Sequence, residues 1–151
     1  MDSSRLTDLE DRVAISDLVN AYAQAVDRRD AGGAAALFAH DGELAVWSEP
    51  DAGAPSTVTG REQIAQALKR LDQYSATFHE ISSHTVTLDR DVATGRTACV
   101  AHHVSGSAPD QRDRVWYLHY NDTFKRDPDG WRIARRELRI DIVSESPLKH
   151  P

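Results

Sequence analysis

The chain opens on a long amphipathic helix pattern. Apolar residues recur at spacings of three and four from Leu6 to Val26, which is the period of one helix face. Thr7 and Glu10 have the spacing of a capping box, so we expect the helix to begin at Thr7 and to end near Arg28. The last turn of this helix therefore brings polar side chains to the end of an apolar face.

Shorter elements follow, separated by turn residues. The pattern predicts a helix over 31–38, a turn at 40–42, strands at 43–47 and 57–60, and a third helix over 61–71. The intervening stretch, 48–56, contains Pro50, Gly53 and Pro55 and is predicted to be a loop. We interpret this loop as a flap over a cavity.

From residue 77 onward the chain is strand-like. Long strands are predicted at 77–88, 95–105, 114–125 and 131–143, and short turns join them, as in an antiparallel meander. Helices followed by a meander predict an α+β fold in which the helices cover one face of a curved sheet. We expect a single domain over 1–151, with 144–151 as a loose tail.

Composition excludes several classes of function. The chain has 151 residues, a formal net charge of -6 and a pI near 5.6, which argue against nucleic acid or an anionic membrane as partners. Its single cysteine, Cys99, cannot form an internal disulfide, and no apolar run approaches the roughly 18 residues of a membrane span. We expect a soluble, cytoplasmic protein.

Asp27 is the first candidate for chemistry. It stands in the last turn of the first helix, five residues after Tyr22. The negative end of the helix dipole disfavours a carboxylate charge there, which predicts a raised proton affinity, as a general base needs. The alternative is that Asp27 is only a polar helix end beside Arg28 and Arg29.

A histidine begins the first long strand. Strand alternation separates His79 from Val86 and Leu88, but a bulge near residues 82–83 would bring all three to one buried face. Bulges are common beside active sites. His79 is therefore a candidate acid or base, and the alternative is a hydrogen-bonded structural histidine.

Two further histidines are adjacent on the second long strand. His102 and His103 must point to opposite faces, so at most one enters a cavity. His102 shares its face with Ala98, Val100 and Val104, and this apolar set favours His102 as the inward one. Adjacent strand histidines cannot bind one ion together, and no zinc-binding motif or phosphate-binding glycine loop is present, so we predict neither metal nor cofactor.

A basic residue on the fourth long strand has two interpretations. Arg136 shares its face with Leu138 and Ile140, which directs it inward. It either binds a substrate oxyanion or pairs with Asp122, and the pair is favoured because a buried charge without a partner is costly.

Several segments together resemble a known family. They are ISDLVNAY at 15–22, VDRRD at 26–30, TFHEI at 77–81, DTFKR at 122–126 and GWRIARR at 130–136. This order resembles the SnoaL-like branch of the nuclear transport factor 2-like superfamily, over nearly the whole chain. The resemblance implies a cone: a strongly curved, mostly antiparallel sheet packed against three N-terminal helices, with a deep apolar pocket open at one end.

The resemblance also implies roles for individual residues. Scytalone dehydratase and bile-acid dehydratase, which belong to this branch, carry an aspartate at the end of the first helix and a histidine on the strand after the third. Asp27 and His79 match these positions. Tyr22 matches a tyrosine of bile-acid dehydratase, and His102 or His103 matches a second pocket histidine of scytalone dehydratase. The lysine that the dehydrochlorinases of this branch carry near the helix end is absent, which disfavours dehydrochlorination.

These matches predict a cofactor-independent lyase, a dehydratase or hydratase that moves protons on a cyclic, polyketide-like or steroid-like molecule. The alternatives are an isomerase or cyclase that uses the same pocket, and a non-catalytic module that binds a small ligand. The predicted catalytic set is Asp27, His79 and Tyr22, and the predicted substrate-binding set is Trp47, His102, His103, Tyr117 and Arg136. We also expect a homo-oligomer, dimer or trimer, formed through the uncovered face of the sheet.

Overall fold

The computed structural model describes residues 3–49, 51 and 53–149. Over these residues the chain forms three α-helices, one 3-10 segment and six strands. In chain order they are α1 (Ser3–Asp27), α2 (Ala31–Ala36), β1 (Phe38–Trp47), β2 (Ser56–Thr59), α3 (Arg61–Leu68), the 3-10 segment (Lys69–Gln73), β3 (Ala76–Asp89), β4 (Val92–Ser105), β5 (Arg112–Asp127) and β6 (Gly130–Pro147). Pro50 and Ala52 of the predicted flap, and His150 and Pro151 of the predicted tail, lie outside the described residues.

The strands form one sheet in the order β2-β1-β6-β5-β4-β3. Only β1 and β6 are parallel, and every other neighbouring pair is antiparallel. Register shifts leave one extra residue at Ser82 in β3, and at Ala134 and Asp141 in β6. Such bulges increase the twist and bend of a sheet, so the long strands can curve around the helices. The predicted α+β architecture, including the bulge near 82–83, is confirmed.

The core lies between α1 and the concave face of the sheet. Ile15, Val19, Tyr22 and Val26 are buried on α1, at spacings of three and four, and they join a cluster that includes Phe124 of β5. Burial of this stripe is the main force that holds a helix on a sheet. No helix in the described part of the chain has the length and apolar character of a membrane span.

Two boundaries near the N-terminus differ from the prediction. The helix α1 already includes residues 3–6, whose side chains, where described, are exposed, so the capping-box spacing at Thr7 does not mark its start. Residues 40–42 lie inside β1 instead of forming a turn, because a register shift between Phe38 and Glu43 absorbs the irregularity. The local signal of His40-Asp41-Gly42 thus appears as an irregularity between the two paired parts of β1 instead of a turn that ends the strand.

The predicted loose tail is wrong for residues 144–147. These residues continue β6 and pair with the first residues of β5, from Val115↔Ser144 to Arg112↔Pro147. The Nε atom of Arg112 donates a hydrogen bond to Glu145 at the same place. The strand therefore extends because its neighbour supplies both backbone partners and an opposite charge.

Candidate active site

A cavity of about 290 Å³ opens between the C-terminal half of α1, the segment from α3 to Tyr74, and the concave face of the sheet. Most of its lining is apolar, and the polar groups are few. The lining includes Tyr22, Val26, Leu44, Val46, Val58, Leu68, Leu71, Tyr74, His79, His103, Trp116, Leu118, Tyr120 and Leu138. An apolar cleft with a few convergent polar groups is the usual form of a small-molecule site.

His79 and Asp27 meet at the wall of this cavity. The Nδ1 atom of His79 lies 2.7 Å from Oδ1 of Asp27, and the backbone N–H of His79 donates to Oδ2 at 2.8 Å. The hydroxyl of Thr77 donates to the same carboxylate at 3.0 Å. Because an ionised carboxylate only accepts, Nδ1 carries a proton and Nε2 is the free ring nitrogen of a residue that lines the cavity.

The helix end holds Asp27 in this position. The chain leaves α1 through Arg29, which has φ 62°, and the guanidinium of Arg29 donates to Thr77 and to the backbone carbonyl of Tyr74. The carboxylate of Asp27 thus reaches the edge strand β3, behind His79, and does not itself line the cavity. From there the carboxylate holds the imidazole of His79 in place through the contact with Nδ1.

The direction predicted for the Asp27 pKa is wrong. Burial raises the pKa of Asp27, but the hydrogen bonds from the His79 ring, the His79 backbone and Thr77 outweigh it and leave the pKa below its ordinary value. The helix-dipole argument failed because it considered only the first helix. The partners that stabilise the anion lie about 50 residues away in sequence, on β3.

The inward histidine is His103, not His102. His103 is fully buried. The centroid of its ring lies 4.0 Å from the ring centroid of Trp116, 4.8 Å from that of Tyr74 and 5.8 Å from that of His79. His102 lies on the opposite face, where its Nδ1 is 2.6 Å from Asp113. The parity argument failed because the apolar residues that share a face with His102 belong to the outer side of the sheet.

The protonation state of His103 follows from its contacts. Its Nδ1 donates to the backbone carbonyl of Arg114 at 3.2 Å, and its buried Nε2 has no hydrogen-bond partner among the described residues. Burial, together with the neighbouring His79, lowers the pKa of His103 to about 4. Near neutral pH His103 is therefore uncharged, and its Nε2 is a hydrogen-bond acceptor.

Tyr22 lines the cavity as predicted, from the buried face of α1. Its ring contacts Phe38 and Tyr120 edge-on, and the guanidinium of Arg136 lies 4.3 Å from its centroid. Burial raises the pKa of Tyr22, although the nearby Arg136 opposes the shift. The hydroxyl therefore keeps its proton and remains a donor.

Arg136 has the structural role that was the favoured alternative. Its Nε and Nη2 donate to the two oxygens of Asp122, both at 2.8 Å, and both side chains are fully buried. The guanidinium also lies over the ring of Tyr120, at 4.1 Å from the centroid. Arg136 does not line the cavity, so it supports the site from behind Tyr22 and Tyr120.

Besides His102 and Arg136, two more predicted substrate-binding residues do not line the cavity. Tyr117 is exposed on the outer face, because the inward residues of β5 are Trp116 and Leu118. Trp47, at the end of β1, packs against Arg139 with 4.1 Å between the guanidinium and the ring centroid, and it does not line the cavity. Strand alternation puts Trp116 on one face of β5 with Leu118 and Tyr120, but it does not say which face is inward, and no sequence signal pointed to Tyr74.

Among the residues that the structure describes, no group of three or more His, Cys, Asp or Glu side chains could hold a metal ion. His79, which lines the cavity, is paired with Asp27, which does not.

A cone-shaped α+β fold with an internal, mostly apolar cavity is typical of nuclear transport factor 2-like proteins. Residues 7–137 match the model of the SnoaL-like domain, and the chain belongs to this family. A protein of unassigned function from Mycobacterium tuberculosis is 31% identical over 142 residues, which cover 90% of each chain.

Two solved structures carry the same fold. An NTF2-like protein with a cystatin-like fold from Novosphingobium aromaticivorans is 31% identical, with a TM-score of 0.70 over 91% of this chain and 86% of that one. The hexachlorocyclohexane dehydrochlorinase LinA-type3 from Novosphingobium barchaimii superposes with a TM-score of 0.80 over 97% of this chain and 99% of that one, at 17% identity. At that identity the second likeness shows the fold alone.

Proposed function

We propose that this protein is a cofactor-independent lyase that removes water from, or adds it to, a small cyclic carbonyl compound. The observation that carries the proposal is the 2.7 Å contact between Asp27 and His79, which leaves one imidazole nitrogen free at an apolar cavity. A histidine oriented by a carboxylate is a general base whose protonated form the carboxylate stabilises.

The proposed reaction has two proton transfers. Nε2 of His79 takes the proton from the carbon next to the carbonyl, and an enolate forms. The hydroxyl on the next carbon then leaves with the proton that His79 holds, so that water is released and a carbon–carbon double bond remains. Asp27 stabilises the imidazolium between the two steps through its hydrogen bond to Nδ1.

Two further groups favour this chemistry. Tyr22 keeps its proton and lines the cavity, so it is the proposed donor to the enolate oxygen, the charge whose stabilisation usually contributes most. His103 is uncharged near neutral pH and lies beside His79 at the cavity wall, so it does not repel the imidazolium that forms on His79. The cavity volume, about 290 Å³, is at the low end for small-molecule sites, which favours one or two rings over a steroid.

The test substrate is 3-hydroxy-1-tetralone, a two-ring β-hydroxy ketone that loses water to give fluorescent 1-naphthol. We expect Asp27→Asn to lower kcat by about 10²–10⁴-fold with little change in KM, because only the charged intermediate loses stabilisation. His79→Gln should lose turnover to a similar extent. Both variants should keep the fold, as judged by circular dichroism.

The chain supplies a matched control. Asp113 contacts His102 at 2.6 Å, but this pair lies on the outer face of the sheet. Asp113→Asn should therefore leave kcat within about twofold of the unmodified protein. Turnover that survives Asp27→Asn, or that falls equally in Asp113→Asn, would refute the proposed role of the Asp27–His79 pair. Product analysis by mass and NMR spectroscopy separates water loss from isomerisation or cyclisation.

We also propose that the protein self-associates through the outer face of the sheet. Phe78, Tyr117 and Ile142 are exposed there, at 62%, 42% and 60% of their surface, on β3, β5 and β6. Exposed apolar patches on a sheet face favour association. Light scattering should show a dimer or trimer, and Tyr117→Glu combined with Ile142→Glu should give the monomer.

A further inference from the structure

A second space adjoins the cavity at its mouth. A second, shallow depression of about 490 Å³ lies beside it, and the two share Val58, Ala67 and Arg70 as lining residues. Val58 belongs to β2, and Ala67 and Arg70 belong to α3 and the 3-10 segment that follows it. A ligand longer than the inner cavity would therefore run across Val58 and Ala67 into the depression.

The depression differs from the cavity in its chemistry. Besides the shared residues it is lined by Lys69 and by the amides Gln63 and Gln66. Lys69 and Arg70 are exposed, and neither side chain has an ion-pair partner among the described residues. The exit from an apolar cavity thus carries two positive charges that no carboxylate of the described residues neutralises.

The cavity and the depression have no acidic lining residue, although acidic residues outnumber basic ones in the chain. The chain has 24 Asp and Glu residues against 18 Lys and Arg, and its net charge is -6. Even so, no Asp or Glu is among the residues that line the cavity or the depression. Asp27 is bound to His79 and Thr77, Asp72 lies 3.9 Å from the guanidinium of Arg29, and neither residue lines the cavity or the depression. The lining of the mouth therefore carries two positive charges and no negative charge on an otherwise acidic protein, which favours anions.

We propose that the ligand is amphipathic: its ring system occupies the cavity, and an anionic group, a carboxylate or a phosphate, extends into the depression and binds Arg70 and Lys69. Arg70 contributes most because it lines both spaces, and its planar guanidinium can bind two oxygens of one anionic group. This inference names the substrate class of the proposed lyase and uses the same cavity, but it does not depend on His79 acting as a base.

Two fluorescent probes with the same aromatic skeleton test it. 8-Anilinonaphthalene-1-sulfonate carries one anionic group, and N-phenyl-1-naphthylamine lacks it. We expect Arg70→Gln to raise the Kd of the sulfonate about fivefold, and Lys69→Gln combined with Arg70→Gln to raise it further, since an exposed charge pair contributes about 1 kcal/mol. The Kd of the neutral probe should stay the same. Added salt should raise the Kd of the sulfonate and leave the Kd of the neutral probe unchanged.

Two controls fix the location. Arg90→Gln removes the same charge at the turn between β3 and β4, where Arg90 is exposed, and should leave both Kd values unchanged. Val46→Trp places an indole in the cavity and should raise the Kd of both probes. The inference is overturned if the double variant binds the sulfonate as tightly as the unmodified protein, if the neutral probe weakens equally, or if Val46→Trp binds both probes unchanged. Turnover by the Asp27 and His79 variants is a separate measurement, so either proposal can fail alone.

Discussion

The buried imidazole of His103 makes the stability of this protein depend on pH, in a direction that the structure determines. The pKa of His103 is lowered from an ordinary value of 6.5 to about 4 by burial and by the neighbouring His79. In the unfolded chain the imidazole becomes protonated as the pH falls through 6.5, whereas in the folded protein it stays neutral until about pH 4. Between these values the unfolded state binds more protons, so stability decreases as the pH falls.

The magnitude follows from the two pKa values. At pH 4 the difference between about 6.5 and about 4 corresponds to about 3 kcal/mol of stability lost relative to neutral pH, at 1.36 kcal/mol per pH unit. His103 has no exposed surface, so solvent screening does not reduce this figure much. Such a loss is a large fraction of the stability of an ordinary domain.

The perturbation that isolates this effect is His103→Asn. An asparagine keeps a side-chain N–H near the position of Nδ1, where it can still donate to the carbonyl of Arg114, but it does not titrate. Urea unfolding at intervals from pH 7.5 to pH 4 should show a free energy of unfolding that falls about 3 kcal/mol less in the variant than in the unmodified protein.

His40→Asn is the matched control, because it removes an imidazole at the surface. It should reproduce the pH profile of the unmodified protein. If His103→Asn and the unmodified protein lose stability in parallel over this range, then His103 is not held neutral by its surroundings, and its assignment as an uncharged acceptor in the site is wrong.

Two further predictions concern the packing behind the site. Arg136→Met leaves the fully buried carboxylate of Asp122 without its partner and should lower the free energy of unfolding by about 3–5 kcal/mol. Adding Asp122→Leu to Arg136→Met should restore most of this loss. Equal losses in the single and the double variant would contradict the prediction. Gly95→Ala places a methyl group 2.9 Å from a ring carbon of the buried Phe124 and should cost about 1–3 kcal/mol by thermal unfolding, while Gly53→Ala, with no neighbour within 4 Å, should stay within about 0.5 kcal/mol.

The order of helices and strands could be predicted because local patterns carry it. The three-and-four spacing on α1 and the alternation of β3 to β6 are properties of neighbouring residues, and they persist in the folded chain. Boundaries were less reliable where pairing overrides local signals. Residues 40–42 were expected to turn but form an irregularity inside β1, and residues 144–147 were expected to be loose but pair with β5.

Part of the candidate site could be predicted from the sequence, and part could not. Sequence patterns identified Asp27 and His79 as candidates for proton transfer, and the family resemblance added Tyr22 to them. They did not determine which face of the sheet is concave, because alternation defines two faces and does not say which one the helices cover. For that reason the choice between His102 and His103, and the positions of Trp47 and Tyr117, depended on the tertiary structure.

The sequence by itself determined the elements and the residue types that could move a proton, since these follow from periodicity and side-chain chemistry. Only the tertiary structure decided that Asp27 is a stabilised anion instead of a base. The hydrogen bonds that lower its pKa come from Thr77 and His79, which are brought to it by the closure of β3 over the end of α1. A pKa depends on the surrounding groups in space, and a linear pattern does not contain them.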